Sequence, residues 1–172
     1  MEPEIEIHIP SVLDGQDVVN VAASTPLFTA EEVGTVREIW QEYIQQDDEE
    51  DPYLFLAAYH DGQLVGFSCF GHRSLTQSTY LLYWIAVDNS LRNMGIGRRL
   101  LKATEEAVMR IGGTQIVIET SDDPSYEPTR KFYSRLGYTE AGAIPDFYKA
   151  GDGLVVYFKH LIRPEIEEKT TP

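Results

Sequence analysis

Arg92, Gly95 and Gly97, in the stretch Arg92-Asn93-Met94-Gly95-Ile96-Gly97, are residues whose types and spacing could hold a phosphate. Glycine lets a backbone approach a ligand closely, and the first N–H groups of a helix have no partner within it. A helix dipole and an arginine add positive potential at the same point. The flanking residues supply the elements this requires. Tyr80 to Val87 is an apolar, aromatic and β-branched run with strand composition, followed by the polar turn Asp88-Asn89-Ser90. Beyond the glycines, Leu100, Leu101, Ala103, Ala107, Val108 and Ile111 recur at helical spacing. Strand, basic glycine turn and helix in that order form an anion trap.

Two common phosphate loops are excluded. The pattern G-x-x-x-x-G-K-[ST] occurs nowhere in the chain. The dinucleotide fingerprint G-x-G-x-x-G fails because Leu100 occupies its third glycine position. What remains is R-x-x-G-x-G, which resembles the [QR]-x-x-G-x-[GA] turn of the GNAT superfamily, the acetyl-CoA-dependent N-acetyltransferases. A second segment, Thr129 to Tyr138, is similar to that family's F-Y-x-x-x-G-[FY] signature at Phe132, Tyr133, Gly137 and Tyr138. Its local physics agrees with a helix. Pro128 suits a first turn, Phe132 and Leu136 share a face, and Gly137 is placed to end the helix.

The resemblance implies acetyl-CoA as cosubstrate and no metal. It implies that backbone groups of Ile85, Ala86 and Val87 pair with the pantetheine arm. The backbone of Arg92, Asn93, Met94, Gly95, Ile96, Gly97 and Arg98 would then hold the pyrophosphate. Arg99 and Lys102 add to the positive cluster expected there. Acetyl transfer of this kind is direct, within an oriented ternary complex. A backbone N–H at Val87 or its neighbour would polarise the thioester carbonyl. Tyr133 maps onto the tyrosine that, in many members, protonates the departing thiolate; core packing is the alternative role for its ring. Glu119 is the first candidate for the base, with water or bulk solvent as the alternative, and His72 is the second candidate. No serine, cysteine or histidine arrangement points to a covalent acyl-enzyme.

Four aromatic positions are candidates for the acceptor side. Tyr126 stands seven residues before Tyr133, where many family members carry an asparagine that meets the pantetheine. Phe147 and Tyr148 lie between Asp146 and Asp152, where two aromatics and two acids could receive a cationic amine. This run resembles a D-F-Y-x-x-G-D stretch of uncharacterised family members, which implies a subfamily without naming a substrate. Tyr83 and Trp84 should point to opposite faces of their strand unless a bulge intervenes, so that one borders the acceptor.

The elements that must position these residues are legible in order. Residues 4–9 alternate polar and apolar as a half-buried strand does, and Asp14 can cap a short helix to about Ala23. Thr29-Ala30-Glu31-Glu32 is a capping box before Val33, Val36, Trp40, Tyr43 and Ile44. Strands 53–60 and 63–72 flank the turn Asp61-Gly62. Strand 80–87, helix 95–111, strand 115–120, helix 128–136 and strands 138–147 and 153–160 follow, the last two joined by Lys149 to Gly153. The order β-α-α-β-β-β-α-β-α-β-β matches the GNAT fold. That match implies an α/β (α+β) domain with a mixed central sheet, helices on both faces, and two parallel strands, 80–87 and 115–120, splayed apart.

Length and charge bound the rest. The 172 residues suit one domain over 1–163 and a polar tail over 164–172. Net charge is −14, and 14 acids against one base, Arg37, fall in residues 1–52. The remainder carries 14 acids and 13 bases, which leaves the proposed coenzyme half near neutral. Such a balance disfavours nucleic acid as a partner. The run Asp47-Asp48-Glu49-Glu50-Asp51 is either a rim that attracts cationic amines or a solvated loop. No 18-residue apolar run suggests a membrane span, the start Met1-Glu2-Pro3-Glu4 lacks signal-peptide character, and the lone Cys69 suits a reducing cytoplasm. Dimers are common in the superfamily, so a homodimer is an open expectation. The sequence thus reads as a soluble N-acetyltransferase acting on a primary amine of an unidentified small molecule. The alternatives are a protein or peptide N-terminal or lysine acetyltransferase and a non-catalytic acyl-CoA-binding module.

Overall fold

A computed structural model describes residues 4–45 and 52–162. The acidic run Asp47 to Asp51, the first three residues and the 164–172 tail lie outside the described residues. The chain runs β1 (Ile5–His8), α1 (Gly15–Ser24), α2 (Ala30–Gln45), β2 (Leu54–His60), β3 (Gln63–His72) and β4 (Thr79–Val87). It continues through α3 (Ile96–Arg110), β5 (Gln115–Ser121), α4 (Glu127–Arg135), β6 (Thr139–Lys149) and β7 (Asp152–His160). The strands form one mixed sheet in the order β1-β2-β3-β4-β5-β7-β6, antiparallel except between β4 and β5.

Local chemistry explains most boundaries. The Thr29 capping box is formed: Thr29 N donates to Glu32 Oε2 at 2.7 Å and Glu32 N to Thr29 Oγ1 at 3.2 Å. Asp61 and Gly62 both take positive φ, 50° and 76°, which two-residue hairpins require. Gly137, at φ 88°, ends α4 and lets Tyr138 N reach back to Tyr133 O at 3.1 Å. Two expectations need correction. Asp14 does not cap α1; its carboxylate accepts from Ser11 N and from the Tyr59 hydroxyl, each at 2.7 Å, and Ser11 caps a preceding 3-10 turn, Val12–Asp14. The β6–β7 connection is tighter than expected, because Lys149 already pairs with Asp152 and leaves Ala150-Gly151 as the turn.

Two apolar cores separate the faces of the sheet. Ile96, Leu100, Leu101 and Val108 of α3 pack with Tyr133, Ile116, Ile118, Val155 and Tyr157 on one face. Val18, Ala22, Val36 and Trp40 of α1 and α2 pack with Phe55, Phe67, Cys69 and Ala86 on the other. Cys69 is a buried thiol in this second core, as expected of a structural cysteine. The fully buried hydroxyls of Ser68 and Thr104 bond at 2.7 Å and tie β3 to α3. Each face of the sheet therefore positions a different part of the site.

Candidate active site

Strands β4 and β5 pair over Thr79–Leu82 and Gln115–Ile118, then part. Beyond that point β4 keeps its pairing with β3 through Val87, and β5 keeps its pairing with β7 through Ser121. The main chain of Ile85, Ala86 and Val87 thus faces a gap where the next strand would have been. A bulge in β4 lies at the parting: Cys69 pairs with Trp84 and Phe70 with Leu82, so Tyr83 is the extra residue. Tyr83 and Trp84 consequently share a face, contrary to simple alternation. The Tyr83 ring meets Tyr53 edge-on at 5.4 Å, and Trp84 meets Phe28 at 5.1 Å, both on the α1–α2 side.

On the α3–α4 side, the glycine turn leads from β4 into α3. Asn93 and Gly95 have φ of 66° and 74°, and Gly95 caps the helix without a side-chain bond. The first N–H groups of α3 therefore have no capping acceptor and face outward, as an anion requires. Gly97 packs beside α4: a Cβ there would stand 3.5 Å from Phe132 and 3.8 Å from Val87, an ordinary van der Waals contact. The two sequence motifs meet at this contact. Arg92 Nη1 lies 3.4 Å from Asn89 Oδ1 beside the turn. Of the other bases expected there, Arg99 donates to the Ile5 carbonyl at 2.7 Å, and Arg98 and Lys102 line a groove with Glu105 and Lys159. Met94 is exposed and Ile96 is buried in the core beneath.

Tyr133 is held with 5 % exposure, its ring 6.1 Å from Tyr157, 5.9 Å from Tyr138 and 5.4 Å from Phe132. Tyr138 anchors this end of α4. Its hydroxyl donates to Glu105 of α3, which Lys159 also bridges at 2.9 Å. The Tyr133 hydroxyl makes no hydrogen bond among the described residues and is not one of their buried polar atoms without a partner, so it opens to solvent. Burial, and then the neighbouring Tyr126, push its pKa above the ordinary 10.0. Such a phenol stays protonated at neutral pH and above.

The opposite face of the gap is acidic and aromatic. Ile116 and Ile118 of β5 enter the α3–α4 core, so Glu119 projects to the α1–α2 side, one residue past the last β4–β5 pair. Asp152 lies on the same face of the adjacent strand and accepts from the Ser121 hydroxyl. Tyr126 donates its hydroxyl to Leu27 O at 3.2 Å, fastening the loop before α4 to the α1–α2 connection. Burial first, then Glu32 and Asp152, raise the Tyr126 pKa to about 12. Tyr148 is half-exposed, stacked edge-on against Phe147 at 5.1 Å, and is raised by burial and by Glu119, Asp152 and Glu32. Tyr133 is therefore within electrostatic reach of Tyr126, Tyr126 of Tyr148, and Tyr148 of Glu119.

The site differs from expectation at three points. His72 lies at the paired end of β4 and β5, opposite Tyr80, where its Nε2 is 3.0 Å from Thr76 O, so it is removed from the gap. Asp146, at φ 53° in the irregularly paired stretch of β6, accepts at Oδ1 from Gly151 N, leaving Asp152 as the acid on the Glu119 face. Glu32 was not singled out as a site residue. Glu32 was legible as a helix cap, but nothing local marks it as a neighbour of Tyr126 and Tyr148.

Residues 22–138 match the family model described as Acetyltransferase (GNAT) family. An uncharacterised N-acetyltransferase of Methanocaldococcus jannaschii is 30 % identical over 109 residues, 63 % of this chain and 67 % of that protein. A crystal structure of a GNAT-family protein from Desulfovibrio desulfuricans superposes with a TM-score of 0.88 at 32 % identity, covering 92 % of this chain and all 100 % of that one. A Salmonella typhimurium structure containing acetyl-CoA shares the fold at a TM-score of 0.73 and 17 % identity, over 94 % of this chain and 96 % of that one. With the family model matched over most of its length and the fold shared, this chain belongs to the GNAT acetyltransferase family and is an acyltransferase.

Proposed function

We propose that this protein transfers an acetyl group from acetyl-CoA to a primary amine of a small molecule, by direct attack in a ternary complex. The observation that carries this reading is the gap between β4 and β5, which joins two chemically different faces. A turn suited to an anion and the Tyr133 phenol, which makes no hydrogen bond among the described residues, stand on one side; carboxylates and aromatic rings stand on the other. The residues fit coenzyme A. Uncapped N–H groups at Ile96, Gly97 and Arg98 suit its pyrophosphate, and the free strand edge of Ile85, Ala86 and Val87 suits its pantetheine amides. Arg92, Asn93, Met94 and Gly95 complete the turn.

Bound acetyl-CoA supplies a thioester whose acyl carbon gains a bond to the amine nitrogen as its bond to sulfur breaks. The chain's own groups serve that exchange. The gap orients the reactants. A main-chain N–H near Val87 polarises the carbonyl oxygen. Glu119 takes the amine proton, and the Tyr133 phenol gives its proton to the departing sulfur. Tyr83, Tyr126, Phe147 and Tyr148 border the acceptor. The catalytic unit is residues 1–163, and the buried Cys69 thiol suits a reducing cytoplasm.

Thermal shift with acetyl-CoA, coenzyme A, NADH and ATP tests the cofactor. A ligand binding only the native state at 100 times its Kd adds about 2.7 kcal/mol. Stabilisation by acetyl-CoA and coenzyme A alone is expected. No response to either would reduce the glycine turn to a helix start and remove this function.

A further inference from the structure

Helix α4 carries the proposed acid but cannot hold itself in place. It has nine residues, fewer than the roughly 12 that a helix needs to persist alone in water, and Tyr133 is its one buried side chain. Its placement must come from contacts near its two ends. Towards the first, Arg130 Nη1 donates to the carbonyls of Ser121 and Asp123, at 2.6 and 3.0 Å. At the last turn, polar side chains from three other segments converge. Lys159 of β7 donates from Nζ to Leu136 O at 2.9 Å, and to both carboxylate oxygens of Glu105 on α3 at 2.9 and 3.0 Å. Tyr138, just before β6, donates its hydroxyl to Glu105 Oε1 at 3.1 Å, and the Lys159 ammonium lies over its ring, 5.5 Å from the centroid. Burial, and then Glu105, raise the Tyr138 pKa, so this hydroxyl stays a donor. Leu136 O is one of the carbonyls that a helix end leaves unpaired, and a cation there also suits the helix dipole. The main-chain nitrogens of Leu136 and Tyr138 in turn donate to Tyr133 O, at 3.0 and 3.1 Å. The clamp therefore holds the residues that close the helix on Tyr133. An ion pair this little exposed, 13 % at Glu105 and 28 % at Lys159, is a weak source of stability, because desolvation offsets much of its attraction. Its geometry has a clearer use. Helix α3 begins in the glycine turn and carries Glu105 about two and a half turns further on, so one rigid element references both the turn and the acid.

We infer that Lys159, together with Glu105 and Tyr138, is a positioning residue for Tyr133: the clamp fixes the last turn of α4 against α3 and so sets the phenol at a constant distance from the glycine turn. This inference rests on the proposed role of Tyr133 as proton donor to the departing sulfur. None of the three clamp residues touches the reacting atoms. A displaced phenol slows proton delivery, while the glycine turn and its hold on the cofactor stay as they are.

The test is a cycle of Lys159→Met and Tyr133→Phe, singly and together. The rate is thiol release from acetyl-CoA to a series of n-alkyl primary amines, and thermal shift with coenzyme A checks folding and cofactor binding. Lys159→Met should lower kcat by about tenfold or more and leave the response to coenzyme A unchanged. In the Tyr133→Phe protein the same change should have little further effect, because the group it positions is gone. Lys159→Arg, which keeps a cation and its donors, should recover most of kcat. Tyr138→Phe removes one bond of the clamp, should give a smaller loss in the same direction, and takes the place of Lys159→Met in the cycle if that protein does not fold. An unchanged kcat, or an equal loss with and without the Tyr133 hydroxyl, would overturn the inference and leave Tyr133 as the acid. Unchanged turnover in Tyr133→Phe alone would overturn the acid and the clamp together. Absence of turnover with every amine, despite stabilisation by coenzyme A, would overturn the proposed acetyl transfer as well.

Discussion

At the scale of single residues, Tyr133 concentrates the chemistry. Its ring is held by Phe132, Tyr138 and Tyr157, while its hydroxyl makes no hydrogen bond among the described residues and opens to solvent. A purely structural tyrosine at this depth usually satisfies its hydroxyl. Replacing Tyr133 with Phe should therefore cost little packing, retain coenzyme A affinity, and lower kcat by about 10²-fold or more, the range of a lost general acid. Steady-state rates beside a thermal-shift titration would check this, and unchanged turnover would return Tyr133 to the core. Protonation has a defined sign. The active form is the neutral phenol, and burial raises its pKa above 10.0, so the rate should not decline from this group as pH approaches 10.0. Tyr133 was legible because its motif is contiguous. Asp152 was named with Asp146 beside the aromatic pair, whereas Glu32 was not, because its proximity to Tyr126 and Tyr148 arises only when α2 packs against segments distant in sequence.

At the scale of elements, the gap depends on a register feature that no single segment encodes. The composition of β4 and β5 marks each as a strand, and the parallel pairing follows from the intervening helix. The bulge at Tyr83, which turns Tyr83 and Trp84 to one face, belongs to the pairing of β3 with β4 and cannot be read from β4 alone. Helix α3 is the reverse case: its glycine turn, amphipathic face and terminating glycine were all local. Gly97 couples that turn to α4 through Phe132. A Gly97→Trp chain should retain its fold, because the new ring can extend from the surface turn, but should lose most of its response to coenzyme A. Thermal shift reads both properties at once. A Gly97→Trp protein that binds coenzyme A as the wild type does would move the pyrophosphate away from this turn.

At the scale of the whole molecule, the sheet separates two apolar cores, and β4 and β5 part beyond Leu82 and Ile118. Helices α3 and α4 give one face the backbone donors and the phenol; α1, α2 and the β6–β7 hairpin give the other its carboxylates and rings. The charge asymmetry in the sequence, an acidic first third and a near-neutral remainder, has a partial counterpart here. Glu32 comes from the acidic third, whereas Glu119 and Asp152 come from the balanced part, so the acids near Tyr148 are drawn from both. Element order and family signatures foretold the fold well, since eleven elements appeared in the expected sequence. Which side chains line the acceptor face depended on sheet parity and hairpin register, which emerge only when the strands pair.

The most direct test of amine acetylation is free-thiol release from acetyl-CoA by the purified protein, with and without a primary-amine acceptor, together with mass analysis of the amine. Release that depends on the amine, with the acetyl group recovered as an amide, is the expected result. Coenzyme A binding without amine-dependent release from any member of the amine series would contradict the enzyme reading and leave an acyl-CoA-binding protein in its place.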